Sequence, residues 1–280
     1  MKKVLYLIII AFLSQWTMEG QTYKLMTYNI RYDNLNDGEN QWLKRKEFLS
    51  SQIAYNEVDL FGIQEGLHHQ VKYLDSVFVD YSYIGIGRDD GKEKGEYSAI
   101  FYNSKKLKVI ENSTFWLSET PSKISVGWDA SMERICTYGL FQNVNTKQQF
   151  FVFNTHFDHI GIEARLKSAE LILQKINEIN PKKLPVILMG DFNLTAENES
   201  IQLISKVLND SEKASKAKPF GPSGTFNAFK FNEPVTDRID YIFTSKNNIA
   251  VKKYAVLSDS KDCRYPSDHL PVFIEIEILY

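Results

Sequence analysis

Cysteine is nearly absent: the 280 residues hold two, Cys136 and Cys263. Two thiols make no disulfide framework, and both are expected to be buried and free. Charge of one sign is lacking as well. Lys and Arg number 33 against 35 Asp and Glu, the net charge is −2 and the pI about 6.2. No overall basic field marks a nucleic-acid binder, although a local positive site stays open. Repeats, low-complexity segments and Pro- or Gly-rich linkers are missing, so one domain from about Tyr23 to Tyr280 is the simplest organisation. Neither a Cys cluster nor a His-x-x-x-His or His-Glu-x-x-His pattern occurs, which argues against the usual zinc sites. The uncharged stretch Val4 to Leu13 falls short of the roughly 20 residues that a membrane span needs.

What is present begins with that stretch. Lys2 and Lys3 precede it and Ser14 to Gly20 turns more polar, so residues 1–20 read as an export signal cleaved near Gly20-Gln21. The expected product is residues 21–280, periplasmic or extracellular, with no stable membrane anchor and no Cys to take a lipid. Its hydrophobic share of 43% and charged share of 24% suit a globular protein with a full core. Strand-like apolar runs fall at Lys24–Tyr28, Asp59–Ile63, Ser98–Tyr102, Phe150–Asn154, Pro185–Met189, Tyr241–Thr244 and Pro271–Ile278. Leu67, Val71, Leu74 and Phe78 keep helical spacing, as do Leu166, Ala169, Leu173, Ile176 and Ile179 before the stop at Pro181. Val109 to Phe153 reads as strands and loops. The mixture predicts an α/β fold with a mixed sheet or two packed sheets and helices outside.

Polar signatures punctuate these runs. Asn29, Glu65, His156 and Asp191 lie at or just past the C-terminal ends of their strands, whereas Asp240 and Asp268 precede theirs. If the last two strands run antiparallel to the others, all six residues meet at one edge. Carboxylates, amides and imidazoles gathered there suit metal-assisted phosphoryl chemistry. Glu65, with Asn29 and Asp268 beside it, is the best candidate for a hard divalent cation. Asp191 and Asn193, two apart on a tight turn, suit a proton acceptor for water and an amide that holds water or phosphate. Asp240 and His269 suggest a carboxylate that orients and charges an imidazole. Arg134 and His156 are donors for phosphate oxygens.

In order, Tyr28-Asn29-Ile30-Arg31, Gln64-Glu65, Gly190-Asp191-Phe192-Asn193, Arg238-Ile239-Asp240-Tyr241 and Ser267-Asp268-His269-Leu270-Pro271-Val272 resemble the endonuclease/exonuclease/phosphatase superfamily. Phe115 to Pro121, Gly127 to Ala130 and Asn154 to His159 resemble a bacterial and fungal branch similar to its deadenylase-type members. The resemblance covers nearly all of residues 21–280. It implies a four-layer α/β sandwich, two packed mixed β-sheets flanked by helices. It also implies Mg²⁺ or Mn²⁺ at Glu65, assisted by Asn29 and Asp268, with Asp191 handling the attacking water and Asn193 supporting it. Asp240 then pairs with His269, and His156 and Arg134 contact phosphate.

The bond type follows better than the substrate. The expected activity is hydrolysis of phosphate esters by direct attack of water, with phosphodiester cleavage of nucleic acid or another phosphorylated compound favoured. A phosphomonoesterase for sugar or inositol phosphates is the rival enzyme, and a non-catalytic phosphate- or sugar-binding module the rival outside catalysis. No protein partner is inferred. Asp158 either contacts substrate or braces the His156 turn, and Arg165 either backs the site or is a solvated charge. His68, His69 and His159 read as helix-start or surface residues. Trp116 and Trp128 are expected to pack loops onto the body rather than flank a cleft. Asp33 to Gly38 reads as a solvated turn, because Leu35 and Lys44 spoil a calcium loop.

Overall fold

The computed structural model describes residues 21–279, so the expected export signal lies outside the described residues. In chain order the first half runs β1 (Gln21–Asn29), α1 (Trp42–Tyr55), β2 (Leu60–Gln64), α2 (His68–Val77), β3 (Tyr81–Ile84), β4 (Ile100–Asn103), β5 (Leu107–Trp116), β6 (Ile135–Asn143) and β7 (Gln149–His156). The second half runs α3 (Ile162–Ile179), β8 (Val186–Asp191), α4 (Glu199–Val207), β9 (Asn209–Asp210), α5 (Ser211–Ala214), β10 (Asp240–Thr244), β11 (Ile249–Val256) and β12 (Val272–Ile278). One sheet has the order β11-β12-β1-β2-β4-β3 and the other β5-β6-β7-β8-β10-β9. Each of the seven strand-like runs of the sequence overlaps one of these strands, four of them beginning one or two residues early.

Period-two alternation builds the layers, because successive strand residues face opposite sides. In β12, Val272, Ile274, Ile276 and Ile278 enter the core between the sheets, where Leu25, Leu60, Phe150, Ile187, Met189 and Ile242 meet them. The other faces of the central strands pack helices. Met26, Tyr28, Phe61 and Ile63 meet Leu49 and Ile53 of α1 and Val71 and Leu74 of α2. Phe153, Leu188, Tyr241 and Phe243 meet Ala169, Ile172 and Ile176 of α3 and Ile201 and Ile204 of α4. This is the four-layer sandwich that the resemblance implied. Helix α3 ends at Asn180, whose amide clasps Leu184 N and O at 2.8 Å each, just before Pro181.

Helix α1 had no clear signal in the sequence. Arg45, Ser50 and Gln52 are buried on it while Leu43 is exposed, so its apolar stripe is blurred. The cysteine expectation is half corrected. Cys136 is buried, but Cys263 is exposed, on a hairpin tip that turns away from the core.

Strand polarity positions the site. Strands β1 and β2 are parallel, and β12 runs antiparallel to β1. Strands β7 and β8 are parallel, and β10 runs antiparallel to β8. One edge of each sheet therefore collects the polar signatures, and His156, Asp191 and Asp240 stand in adjacent register across three strands.

A buried amide network stitches the sheets beneath that edge. Asn154 of β7 donates to Ile63 O and Ala99 O, both at 2.9 Å, and accepts from Gln64 Nε2 at 2.6 Å. Gly62 leaves room for it, since a Cβ there would meet the Asn154 side chain at 2.8 Å. Asn154→Ala leaves these buried groups without partners and is expected to cost about 3 kcal/mol of unfolding free energy. Urea unfolding measures this, and a loss under about 1 kcal/mol would mean the stitch is dispensable.

Candidate active site

Asn29 ends β1, and its Nδ2 donates to Glu65 Oε1 at 3.0 Å and to Asp191 Oδ2 at 2.9 Å. One amide thus joins a carboxylate of each sheet. Glu65 has left-handed backbone, φ 63°, directly after β2. Its other oxygen accepts from Tyr32 N at 3.1 Å. Asp268 approaches from the loop before β12, where the Ser267 hydroxyl donates to Asn29 O at 2.7 Å.

Asp191 closes β8 after Gly190, whose φ of 147° and 2.0 Å approach of a notional Cβ to Thr155 O require glycine. Asn193 N donates to Asp191 Oδ1 at 2.9 Å. The Asn193 Nδ2 donates to Phe157 O at 3.0 Å, and its second hydrogen points at His156 Nε2, 3.1 Å away. That assigns the His156 proton to Nδ1, which lies 3.8 Å from Glu96 and lacks a hydrogen-bond partner. Burial, then the charges of Arg134 and Arg88, hold His156 well below the ordinary imidazole value, so the ring is neutral.

His269 is the opposite case. Its Nδ1 lies 2.8 Å from Asp240 Oδ2, and its Nε2 lies 3.8 Å from Asp191. Burial opposes its charge, but Asp240 and Asp191 prevail and raise it well above the ordinary value. Burial, reinforced by Asp240, pushes Asp191 up to about 7. Burial also raises Asp268, with the Glu65 carboxylate adding to it.

The remaining expected residues separate here. Arg134 is buried and lines the cavity, with Nη2 at 3.0 Å from His159 Nδ1 and Nη1 buried without a partner. Asp158 does not line the cavity. Its oxygens accept from Ser131 N and Oγ, Ile160 N and Gly161 N, and its Oδ2 meets Arg134 Nε at 3.4 Å. Of its two expected roles, these bonds fit bracing the turn after His156. Arg165 reaches backbone carbonyls of His159, Ile160 and Asn193. Trp116 is buried and donates to Arg88 O at 2.9 Å, a loop anchor as expected.

The donor set fits a hard divalent cation. Glu65, His156 and Asp191 each offer a ligand atom within 4.8 Å of the others, as do Asp191, Asp240 and His269. Glu65 and Asp268 are oxygen donors of the kind that Mg²⁺ and Mn²⁺ take, whereas Asn29 turns its Nδ2 to the carboxylates and its Oδ1 to Arg31 N, and so positions them.

A sequence profile described as the Endonuclease/Exonuclease/phosphatase family matches residues 26–269. The chain belongs to that family. A crystal structure of an endonuclease/exonuclease/phosphatase family protein from Bacteroides thetaiotaomicron is 39% identical, covers 94% of this chain and 100% of its own, and superposes with a TM-score of 0.90. The mannosyl-6-phosphatase Bt3783 of the same species is 41% identical over 91% of this chain and 99% of its own, TM-score 0.87. Among curated proteins, the uncharacterized protein L388 of Acanthamoeba polyphaga mimivirus is 27% identical, with 85% of this chain and 92% of that protein covered. The CCR4-Not 3'-5'-exoribonuclease subunit Ccr4 of Mycosarcoma maydis is 21% identical over 92% of this chain, which spans about half that protein's length, 51%.

Within this endonuclease/exonuclease/phosphatase site, sequence reasoning missed several cavity residues. Arg88 and Glu96 pair through two bonds at 2.7 and 3.0 Å on the hairpin after β3, and both line the cavity with Met132, His159 and Phe226. Phe226 meets the His269 ring edge-on at 5.0 Å. None of these follows an apolar run, the signal used for the others; His159 is exposed, as expected of a surface residue, and also lines the cavity.

Because the folded state raises His269, its charge contributes stability fully below about pH 6.5 and loses it as pH rises through the folded value. Asp240→Asn is therefore expected to cost about 2 kcal/mol near pH 6 and progressively less at alkaline pH. Urea unfolding across pH checks this, and a deficit that does not shrink with rising pH would refute the charged pair.

Proposed function

We propose that this hydrolase of the endonuclease/exonuclease/phosphatase superfamily is a divalent-metal-dependent phosphomonoesterase acting on a phosphorylated sugar. The observation that carries the reading is the size of the cavity at the site. The cavity has a volume of about 460 Å³ and is walled by Arg88, Glu96, Met132 and Phe226. That is room for a small phosphorylated molecule. The near-neutral net charge of −2 supports the same choice, since polymeric phosphate is held largely by basic surface. A relative 41% identical over nearly its whole length bears the name mannosyl-6-phosphatase. Phosphodiester cleavage is the second reading, supported by exoribonuclease relatives such as Ccr4. Export, proposed on the sequence of residues 1–20, suits the scavenging of an extracellular phosphate ester.

Glu65 and Asp268 would hold Mg²⁺ or Mn²⁺, with Asn29 positioning Glu65. When bound, such an ion neutralises phosphate oxygens and favours charge build-up on them. The chain's own groups divide the remaining work. Asp191, pushed up to about 7, is suited to take a proton from the attacking water near neutral pH. Asn193 N, 2.9 Å from Asp191 Oδ1, aims that carboxylate. His269, kept protonated by Asp240, offers Nε2–H to a non-bridging oxygen. Arg134 offers its unpartnered Nη1 to another.

Purified residues 21–280 with Mg²⁺ are expected to favour mannose 6-phosphate over bis-p-nitrophenyl phosphate and an oligonucleotide by about 100-fold or more in kcat/KM. EDTA should abolish turnover, and Asp191→Ala should lower kcat by about 10³-fold. A diester or oligonucleotide preference would replace this reading with the phosphodiesterase. Activity that survives EDTA would remove the metal.

A further inference from the structure

One amide fixes the state of a catalytic ring. Asn193 Nδ2 lies 3.0 Å from Phe157 O and 3.1 Å from His156 Nε2. A backbone carbonyl only accepts, so turning the amide over would set oxygen against oxygen. The second amide hydrogen therefore needs a lone pair on Nε2, and the neutral ring carries its own proton on Nδ1. That Nδ1 is buried and has no hydrogen-bond partner among the described residues. A buried N–H with no acceptor forfeits its hydration for nothing, and Asp191 Oδ2, 3.5 Å from Nε2, competes for the proton on the far side of the ring. Some acceptor must hold the proton on Nδ1.

Glu96 stands where that acceptor is needed. Its Oε2 lies 3.8 Å from Nδ1, too far for a direct hydrogen bond. Glu96, His156 and Arg134 all line a second, small cavity of about 10 Å³, room for a single water. Arg134 Nη1 is likewise buried without a protein partner. The carboxylate is aimed rather than loose. Arg88 Nη1 and Nη2 donate to its two oxygens at 2.7 and 3.0 Å, and Trp116 Nε1 holds Arg88 O at 2.9 Å. Each carboxylate oxygen keeps a further lone pair after Arg88 is served.

We infer that Glu96 is a positioning residue for His156: through one water in the small cavity it takes up the Nδ1 hydrogen and fixes the tautomer that turns a bare Nε2 to Asn193. The water accepts from His156 Nδ1 and Arg134 Nη1 and donates to Glu96 Oε2, three partners in all, the usual number for a buried water. Arg134 Nη1 carries two hydrogens, so one stays for a phosphate oxygen. Asn193 then spends both amide hydrogens inside the protein and has its Oδ1 to offer to the substrate cavity it lines. An acceptor there suits the attacking water and not a phosphate oxygen. This last step rests on the phosphoesterase reading, whereas the tautomer does not.

Nitrogen NMR of the histidine rings tests the inference without turnover. Residues 21–280 labelled with ¹⁵N-histidine contain all five histidines, and the His156 pair is the one missing from His156→Gln. Wild type is expected to show Nδ1 protonated and Nε2 bare. Glu96→Leu is expected to move the proton to Nε2, where Asp191 is the acceptor left. The same variant should lower kcat about tenfold on mannose 6-phosphate, with KM changed less than about threefold. Should it strand Arg88 and melt early in circular dichroism, Arg88→Leu combined with Glu96→Leu removes the ion pair as a unit and is read in the same way. A wild-type ring protonated on Nε2 or on both nitrogens, or variants that keep the proton on Nδ1 alone, would overturn the inference. A KM rise at unchanged kcat would overturn it too, by making Glu96 a substrate-binding residue. Absence of phosphatase turnover in wild type would strike the proposed function instead, and the ring spectrum would still decide the role of Glu96.

Discussion

The two hydrogen bonds of the Asn29 amide are the constraint on which the site depends. Asn29 belongs to one sheet and Asp191 to the other, and the amide spans them while also holding Glu65. The sheets pack against each other through apolar side chains, whose attraction is non-directional and does not set a register to a fraction of an ångström. A buried amide with two acceptors does. Below it, Asn154 and Gln64 repeat the device between the same sheets. Apolar alternation therefore brings the edges together, and amide bonds decide how they meet.

That meeting concentrates acids. Glu65, Asp191, Asp240 and Asp268 come from four separated segments and are all largely shielded from water. Burial raises Asp191 and Asp268 because an ionised carboxylate loses hydration there. The fold offsets this with cations it places itself: His269 against Asp240, and Arg31 against Glu65 and Asp268. Arg45 secures the second arrangement from below. Its buried guanidinium donates to the carbonyls of Ile30, Arg31, Asn40 and Pro266, and so ties α1 to the loops that carry Asn29 and Asp268.

Most of the acidic side of the site was legible in the sequence for a physical reason. A residue at the end of a strand is placed by the strand, and apolar runs reveal strands. Asn29, Glu65, His156 and Asp191 could be read in this way, and antiparallel β10 and β12 bring in Asp240 and His269. The cationic wall was less legible. Arg88 and Glu96 sit on an irregular hairpin whose geometry depends on Trp116, Gly87 and Gly95 rather than on periodicity. His159 reaches the cavity only because Asp158 turns the chain by accepting from Ile160 and Gly161. Helix α1 was hidden because the residue it exists to place, Arg45, is charged and buried on its core side.

The two cavity histidines show how the same burial yields opposite chemistry. Both rings are almost fully enclosed, and burial alone would leave both neutral. His156 faces Arg134 and Arg88, whose charges push in the same direction as burial. His269 faces Asp240 and Asp191, whose charges overcome it. The difference comes from which wall each ring stands against. A neutral His156, its Nε2 turned to Asn193, is poised to hold position and accept hydrogen bonds, whereas a protonated His269 is poised to donate to developing negative charge. The acidic wall thus supplies the cationic donor and the basic wall the neutral ring. A phosphate between them would meet positive charge from both sides: from His269 on one and from the guanidinium of Arg134 on the other.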